Sequence, residues 1–180
     1  FIPDGISFIG AHPIAGGEMS GLRLSSDTLF DDAHCIITPT DKSDPESLKI
    51  AIELWKTIGM HVSIMDAKEH DFIFGAVSHL PHVLIFALMN TLGDLKSENY
   101  DRITSFSGAG LRDITRTAAS EPAMWRDICL SNKDSILHFL DLFQETLNHL
   151  RSSIEQENGT LLTRQFEISN QHRLKLTGKI

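Results

Sequence analysis

Basic charge, cysteine and long uninterrupted apolar runs are all scarce in this chain of 180 residues, and each shortage removes a class of function. Lys and Arg number 16 against 24 Asp and Glu, a formal net charge of −8, whereas nucleic-acid binding needs a clustered basic face for the phosphates. The 2 cysteines, Cys35 and Cys129, stand far apart with no CxxC spacing, which predicts reduced thiols in a cytoplasmic protein. Polar or charged residues interrupt every apolar run before the ~18 residues a membrane span needs, so no membrane partner is expected. No basic-then-apolar leader opens the chain. The first residue is Phe1, not methionine, which reads as the middle of something longer. No GxGxxG follows any predicted strand, and the GAG at Gly108 to Gly110 lies in helical surroundings. Internal repeats and low-complexity segments are also lacking.

What is present changes character near Asp66. Before it the pattern is α/β. GISFIG, Gly5 to Gly10, is a short run of β-formers between glycines and predicts a buried parallel strand. His12 follows in the loop AHPIAGGEMSG, where ligands gather beyond strand ends in open α/β sheets. Pro13 biases His12 towards an extended backbone, and Gly16 and Gly17 permit close approach to a ligand. Spacing alone leaves open whether this is a site or an ordinary glycine-rich loop. HCIIT, His34 to Thr38, predicts a second strand. A helix follows, with Ser43 and Glu46 in capping-box spacing, Pro45 in the first turn, and an apolar stripe of Leu48, Ala51, Ile52, Trp55 and Ile58 up to Gly59. HVSIMD, His61 to Asp66, predicts a third strand, and strand, crossover and strand in this order suggest the second half of a doubly wound parallel sheet.

After Asp66 the pattern is helical to the end. Asp66 to Leu95 is an apolar helix that holds His70, His79, His82 and one proline, Pro81, which cannot donate to the carbonyl of Val77 and predicts a kink. Shorter helices are predicted from near Asn99, from about Leu111, and from a Ser120 cap with Pro122 in the first turn. Arg112 and Arg116 share a helix face at i, i+4, and Asp113 lies beside Arg116 at i, i+3. From about Lys133, Ile136, Leu140, Phe143, Leu147, Leu150 and Ile154 form a heptad seam. At ~37 Å such a seam exceeds what a small helical domain needs for its own core, which predicts a homodimer. Asn158 and Gly159 end this helix, and Thr160 is placed to cap a last amphipathic one.

The chemistry narrows by elimination. His70 and His82 are separated by ~18 Å of rise on a straight helix, so they cannot meet on one ion, and no metal site is expected. Ser78 beside His79 makes no nucleophile elbow. A helical dimer module that binds an aromatic ligand without catalysis stays open, although it leaves the histidine and arginine placements unexplained. The other option is an oxidoreductase in which an α/β domain holds a dinucleotide and the helices hold an anionic substrate.

GAHPIAGGEMSG, the DAKEHD...SHLPH helix and GAGLRDITRTAASEPAMWRDI, in this order and at these separations, closely resemble the prephenate dehydrogenase family of tyrosine biosynthesis, over nearly the whole stretch from Gly10 to about Leu150. The resemblance implies a fold of α/β plus all-α class. Residues 1–66 would be the C-terminal portion of a Rossmann-like parallel sheet in a dinucleotide-binding domain. Residues 67–180 would be an all-helical substrate-binding and dimerisation domain. It further implies oxidative decarboxylation of prephenate to 4-hydroxyphenylpyruvate, with NAD or NADP as hydride acceptor. Arogenate would fit nearly the same pocket, and tyrosine is a plausible inhibitor.

Residue by residue, His12 in HPIAG matches the family's catalytic histidine, whose neutral ring takes the proton from the substrate's ring hydroxyl. Arg116 matches the substrate-binding arginine, and His82 matches a histidine of the same pocket. His79 is a further pocket candidate, and Trp125 matches an aromatic residue at the pocket edge. Glu18, His70 and Asp113 match a polar network that orients the arginine and gates entry. Gly16 and Gly17 would touch the cofactor. The family's dinucleotide fingerprint, and a serine that partners the catalytic histidine, belong to sequence before Phe1. These 180 residues alone are therefore expected neither to bind NAD well nor to turn over.

Overall fold

The computed structural model describes residues 3, 5–15, 26–95 and 97–179, without the side chains of 97 and 98. Gly16, Gly17 and Glu18 lie outside the described residues. By packing, the chain divides into two units, Phe1–Asn132 and Lys133–Ile180.

In the first unit, β1 (Gly10–Ile14), β2 (His34–Thr38) and β3 (His61–Ile64) form a three-stranded sheet in the order β1-β2-β3. β2 and β3 are parallel and joined through α1 (Pro45–Thr57), the expected crossover. The first strand differs from expectation. It begins at Gly10, where the run from Gly5 was expected to end, and it pairs antiparallel with β2. Ile6 and Phe8 stay 61% and 64% exposed, so the earlier run buries too little to be a core strand. Strand direction is set by the partner, which no local pattern records. Pro13 is tolerated because β1 is an edge strand and needs no donor there. Gly10 is required by close approach, since a Cβ at this position would lie 2.6 Å from Thr38 Oγ1.

Alternation along β2 sends Cys35 and Ile37 to one face and Ile36 to the other. Cys35 and Ile37, both fully buried, meet Met60 and the stripe of α1, Leu48, Ala51, Ile52 and Trp55. Asp44, not Ser43, caps α1: its carboxylate accepts the Ser47 N–H at 2.8 Å, while Ser43 Oγ accepts from the Thr40 N–H. Asp66 ends no strand but caps the next helix, accepting from the N–H groups of Lys68 and Glu69.

That helix is α2 (Ala67–Phe74), followed by a π-helical turn over Gly75–His79 and then α3 (Leu80–Gly93). The expected disturbance at Pro81 is thus a change of hydrogen-bond register just before it, with the Leu80 N–H reaching the carbonyl of Gly75. Taken as one run of 27 residues, Ala67–Gly93 is apolar enough to cross a membrane by length and composition. This corrects the expectation that no segment reaches that threshold, since its Ser, His, Asn and Thr interruptions lower the mean too little. Only 11% of its most apolar stretch is buried in the chain, so it is not an ordinary core helix.

α4 (Ser97–Ser105), α5 (Ala109–Thr115), a 3-10 turn over Arg116–Ala119 and α6 (Pro122–Ser131) complete the first unit. α5 and the 3-10 turn pack on α3. Glu121, rather than Ser120, caps α6. The second unit is α7 (Lys133–Glu155) against α8 (Gly159–Leu176), which is capped by Asn158 and not Thr160. Within it Leu147, Leu150 and Ile154 of α7 and Phe166 of α8 line an apolar groove of about 310 Å³.

Candidate functional site

The register of β1 aims His12. It lies opposite Ile36, so its side chain emerges on the sheet face away from α1. α2 covers that face and presents His70 and Phe74, one helical turn apart. His12 Nδ1 stands 2.8 Å from His70 Nε2, and His70 Nδ1 stands 3.0 Å from Asp71 Oδ1. Phe74 packs against both rings, at centroid distances of 4.6 Å and 4.5 Å.

This chain of contacts determines where the protons sit. A carboxylate only accepts, so His70 Nδ1 carries a hydrogen towards Asp71. In the neutral ring His70 Nε2 is then an acceptor and takes the Nδ1–H of His12. His12 Nε2 is left with its lone pair, as a base requires. Burial, and after it the repulsion that His70 would exert were both rings protonated, holds His12 below the ordinary histidine range, so it is neutral at pH 7.

The π-helical turn phases the rest of the helix. In an unbroken α-helix His79, nine residues after His70, would sit about half a turn round, on the far side. The extra residue absorbed between Gly75 and His79 rotates His79 and His82 back towards the face of His70 and Phe74. His82 donates Nδ1–H to the carbonyl of Ser78 at 2.8 Å, and its ring stacks on Trp125 at 3.9 Å and 20°. Trp125, 7% exposed on α6, also meets His79 edge-on.

His12, His70, Asp71, Ser78, His79 and Trp125 line a cavity of about 340 Å³, closed further by Ile128, Ser131 and Asn132. The structure thus gathers four of the expected residues, His12, His70, His79 and Trp125, on one wall. His82 supports that wall through its stack on Trp125. His70 sits against His12. Arg116 and Asp113 are exposed and are not among the lining residues. Arg116 opens the 3-10 turn that packs on α3, the helix of His82. Among the described residues no group of three or more His, Cys, Asp and Glu is arranged to hold a metal. Asp71 and Asn132 escaped the sequence analysis. Asp71 had the signal of adjacency to His70, whereas Asn132 reaches the site from 61 residues away and had none.

Residues 1–64 match the family model described as prephenate dehydrogenase, nucleotide-binding domain, and residues 66–168 match prephenate dehydrogenase, dimerization domain. The chain belongs to the prephenate dehydrogenase family. It is 37% identical over 173 residues to the prephenate dehydrogenase of Bacillus subtilis (strain 168), covering 96% of this chain and 46% of that protein. It is 34% identical to the cyclohexadienyl dehydrogenase of Zymomonas mobilis, covering 92% of this chain and 57% of that one. Among solved structures, prephenate dehydrogenase from Aquifex aeolicus in complex with hydroxyphenyl propionate and NAD+ superposes with a TM-score of 0.85 at 39% identity, over 94% of this chain and 59% of the other. Synechocystis arogenate dehydrogenase does so with a TM-score of 0.79 at 26% identity, over 94% and 62%. The chain therefore spans about half the length of the curated prephenate and cyclohexadienyl dehydrogenases it matches.

Proposed function

We propose that this chain is the catalytic-histidine and helical part of a dehydrogenase of aromatic amino-acid biosynthesis that oxidatively decarboxylates prephenate. The observation that carries it is the Asp71–His70–His12 chain, which leaves His12 Nε2 bare at the wall of a cavity of substrate size. The ring hydroxyl of prephenate gives its proton to His12 Nε2 as its carbon loses hydride. The carboxylate bond then breaks, carbon dioxide leaves, and the electron pair aromatises the ring. NAD(P), when bound, supplies the hydride acceptor. The described residues do not make its cradle, because no glycine-rich turn joins a strand to a helix among them, and we assign that cradle to sequence before Phe1.

Arg116 is assigned to a substrate carboxylate, His82 and Trp125 to the pocket wall, and Asp113 to orienting the arginine. Arogenate is the second substrate to test, because relatives named as cyclohexadienyl and arogenate dehydrogenases share the fold and most of the chain. A homodimer is favoured by the dimerization-domain match and by the apolar exposure of Leu147, Ile154 and Phe166, at 51%, 62% and 56%. Both cysteines are free thiols, which suits a reducing, cytoplasmic setting.

The test is prephenate-dependent NAD(P) reduction by the natural protein together with its upstream sequence. His12→Ala is expected to lower kcat by roughly 10²- to 10⁴-fold, the usual worth of a general base. Arg116→Ala is expected mainly to raise KM. Full kcat in His12→Ala would remove the proposal.

A further inference from the structure

Asn132 closes α6, is 8% exposed, and has no part in the chemistry above. Its amide nitrogen stands 2.6 Å from the backbone carbonyl of Asp71 and 3.0 Å from His79 Nδ1. A carbonyl only accepts, so the nitrogen end of the amide must face Asp71, and an amide nitrogen only donates. His79 Nδ1 is therefore held as an acceptor, and the single proton of the neutral ring lies on Nε2. A charged His79 would turn an Nδ1–H against the Asn132 donor, so the contact also disfavours protonation. Burial, with His70 next, pulls His79 below the ordinary range in the same sense, and Asp71 opposes with a smaller pull.

His12 is the mirror case, with its proton on Nδ1 and its lone pair on Nε2. One cavity thus holds two neutral histidines in opposite tautomers. Trp125 lines the same cavity, and its buried indole N–H has no partner among the described residues. The two histidines that line it therefore carry one acceptor and one donor, whereas the indole N–H is closed off from it.

We propose that Asn132 is a positioning residue for substrate recognition, which holds His79 as a neutral N–H donor to an acceptor oxygen of the substrate while His12 takes the substrate's hydroxyl. The identity of the substrate rests on the dehydrogenase function proposed above; the tautomers do not. An acceptor oxygen, carboxylate or ketone, fits this arrangement, whereas a donor-only ammonium group gains nothing from His79.

The experiment uses the natural protein with nitrogen-15 histidine and records the ring nitrogens by NMR, alongside kcat and KM for prephenate and arogenate. In the wild type His79 is expected to show a bare Nδ1 and a protonated Nε2. In Asn132→Asp, assayed at a pH where the same spectrum shows the ring neutral, the new carboxylate accepts instead, so the proton moves to Nδ1. KM for prephenate should then rise on the order of 10-fold with a much smaller change in kcat, as for a lost hydrogen bond to a charged group; KM for arogenate should rise as much if the oxygen is a carboxylate, which both substrates carry, and less if it is the ketone, which arogenate lacks. A wild-type His79 protonated on Nδ1 overturns the proposal, and that spectrum decides even if the variant fails to fold. An unchanged prephenate KM in a folded Asn132→Asp overturns it as well. Full kcat in His12→Ala would instead remove the dehydrogenase function and leave the tautomer result standing.

Discussion

Replacing His70 with leucine takes away the partner of His12 Nδ1, and the loss is expected in turnover more than in binding. The His70 side chain is only 17% exposed, so water does not simply take its place. His12 then has two outcomes. It keeps its Nδ1–H unpaired between the introduced leucine and Phe74, or it moves the proton to Nε2 and ceases to be a base. An unpaired buried donor costs ~1–3 kcal/mol, and at 1.36 kcal/mol per decade that lowers kcat roughly 5- to 150-fold. His70→Gln keeps an acceptor oxygen within reach of the same Nδ1–H and should retain most of kcat. Because the base must be unprotonated, kcat rises as pH passes upward through the His12 value, which burial chiefly holds below the ordinary histidine range. Steady-state rates with prephenate and NAD(P) across pH give both quantities. Wild-type kcat in His70→Leu, or a loss confined to KM, would refute the relay from Asp71 to His12.

Two further outcomes concern the site and stability. Trp125 backs His82 and His79 from a buried position, so Trp125→Leu should cost ~2–4 kcal/mol of stability and raise KM, while Trp125→Phe keeps a stacking face and should cost less than half of that; equal urea midpoints for the two variants would contradict this packing. His12 and His79 both have depressed values in the folded state, chiefly through burial, so below the ordinary histidine value of ~6.5 the unfolded chain binds more protons than the folded one. Their contribution is complete above that value and is lost as pH falls through the folded values, so the urea midpoint should drop between about pH 7.5 and pH 5, and drop less in His79→Leu. A midpoint flat over that range would count against neutral burial.

Much of the architecture could be read locally. The strands at His34 and His61, the crossover helix and the helical remainder follow from periodicity and caps, because each depends on neighbours a few residues away. Caps slipped by one or two residues, to Asp44, Glu121 and Asn158, where a competing polar side chain stood next to the expected one. The first strand was misplaced and given the wrong direction, since Gly5 to Gly10 holds the β-formers whereas GAHPI, Gly10 to Ile14, has only Ile14 and is a strand through its pairing with β2. Histidine spacing along the helix carried a legible clue. Steps of four, five and three from His70 through Phe74 and His79 to His82 fit one face only if a turn absorbs one extra residue.

By itself, then, the sequence determined the residue types of the site, the family motifs that contain them and the spacing of His70, His79 and His82, which a π-helical turn brings to one face. The tertiary structure alone decided the proton arrangement. Which ring nitrogen of His12 or His79 carries hydrogen depends on what stands within 3 Å of it, and those partners, His70 and Asn132, arrive from 58 and 53 residues away. Hydrogen bonding is short-ranged in space and indifferent to distance along the chain, so only the packed fold converts a set of histidines into one base and one donor.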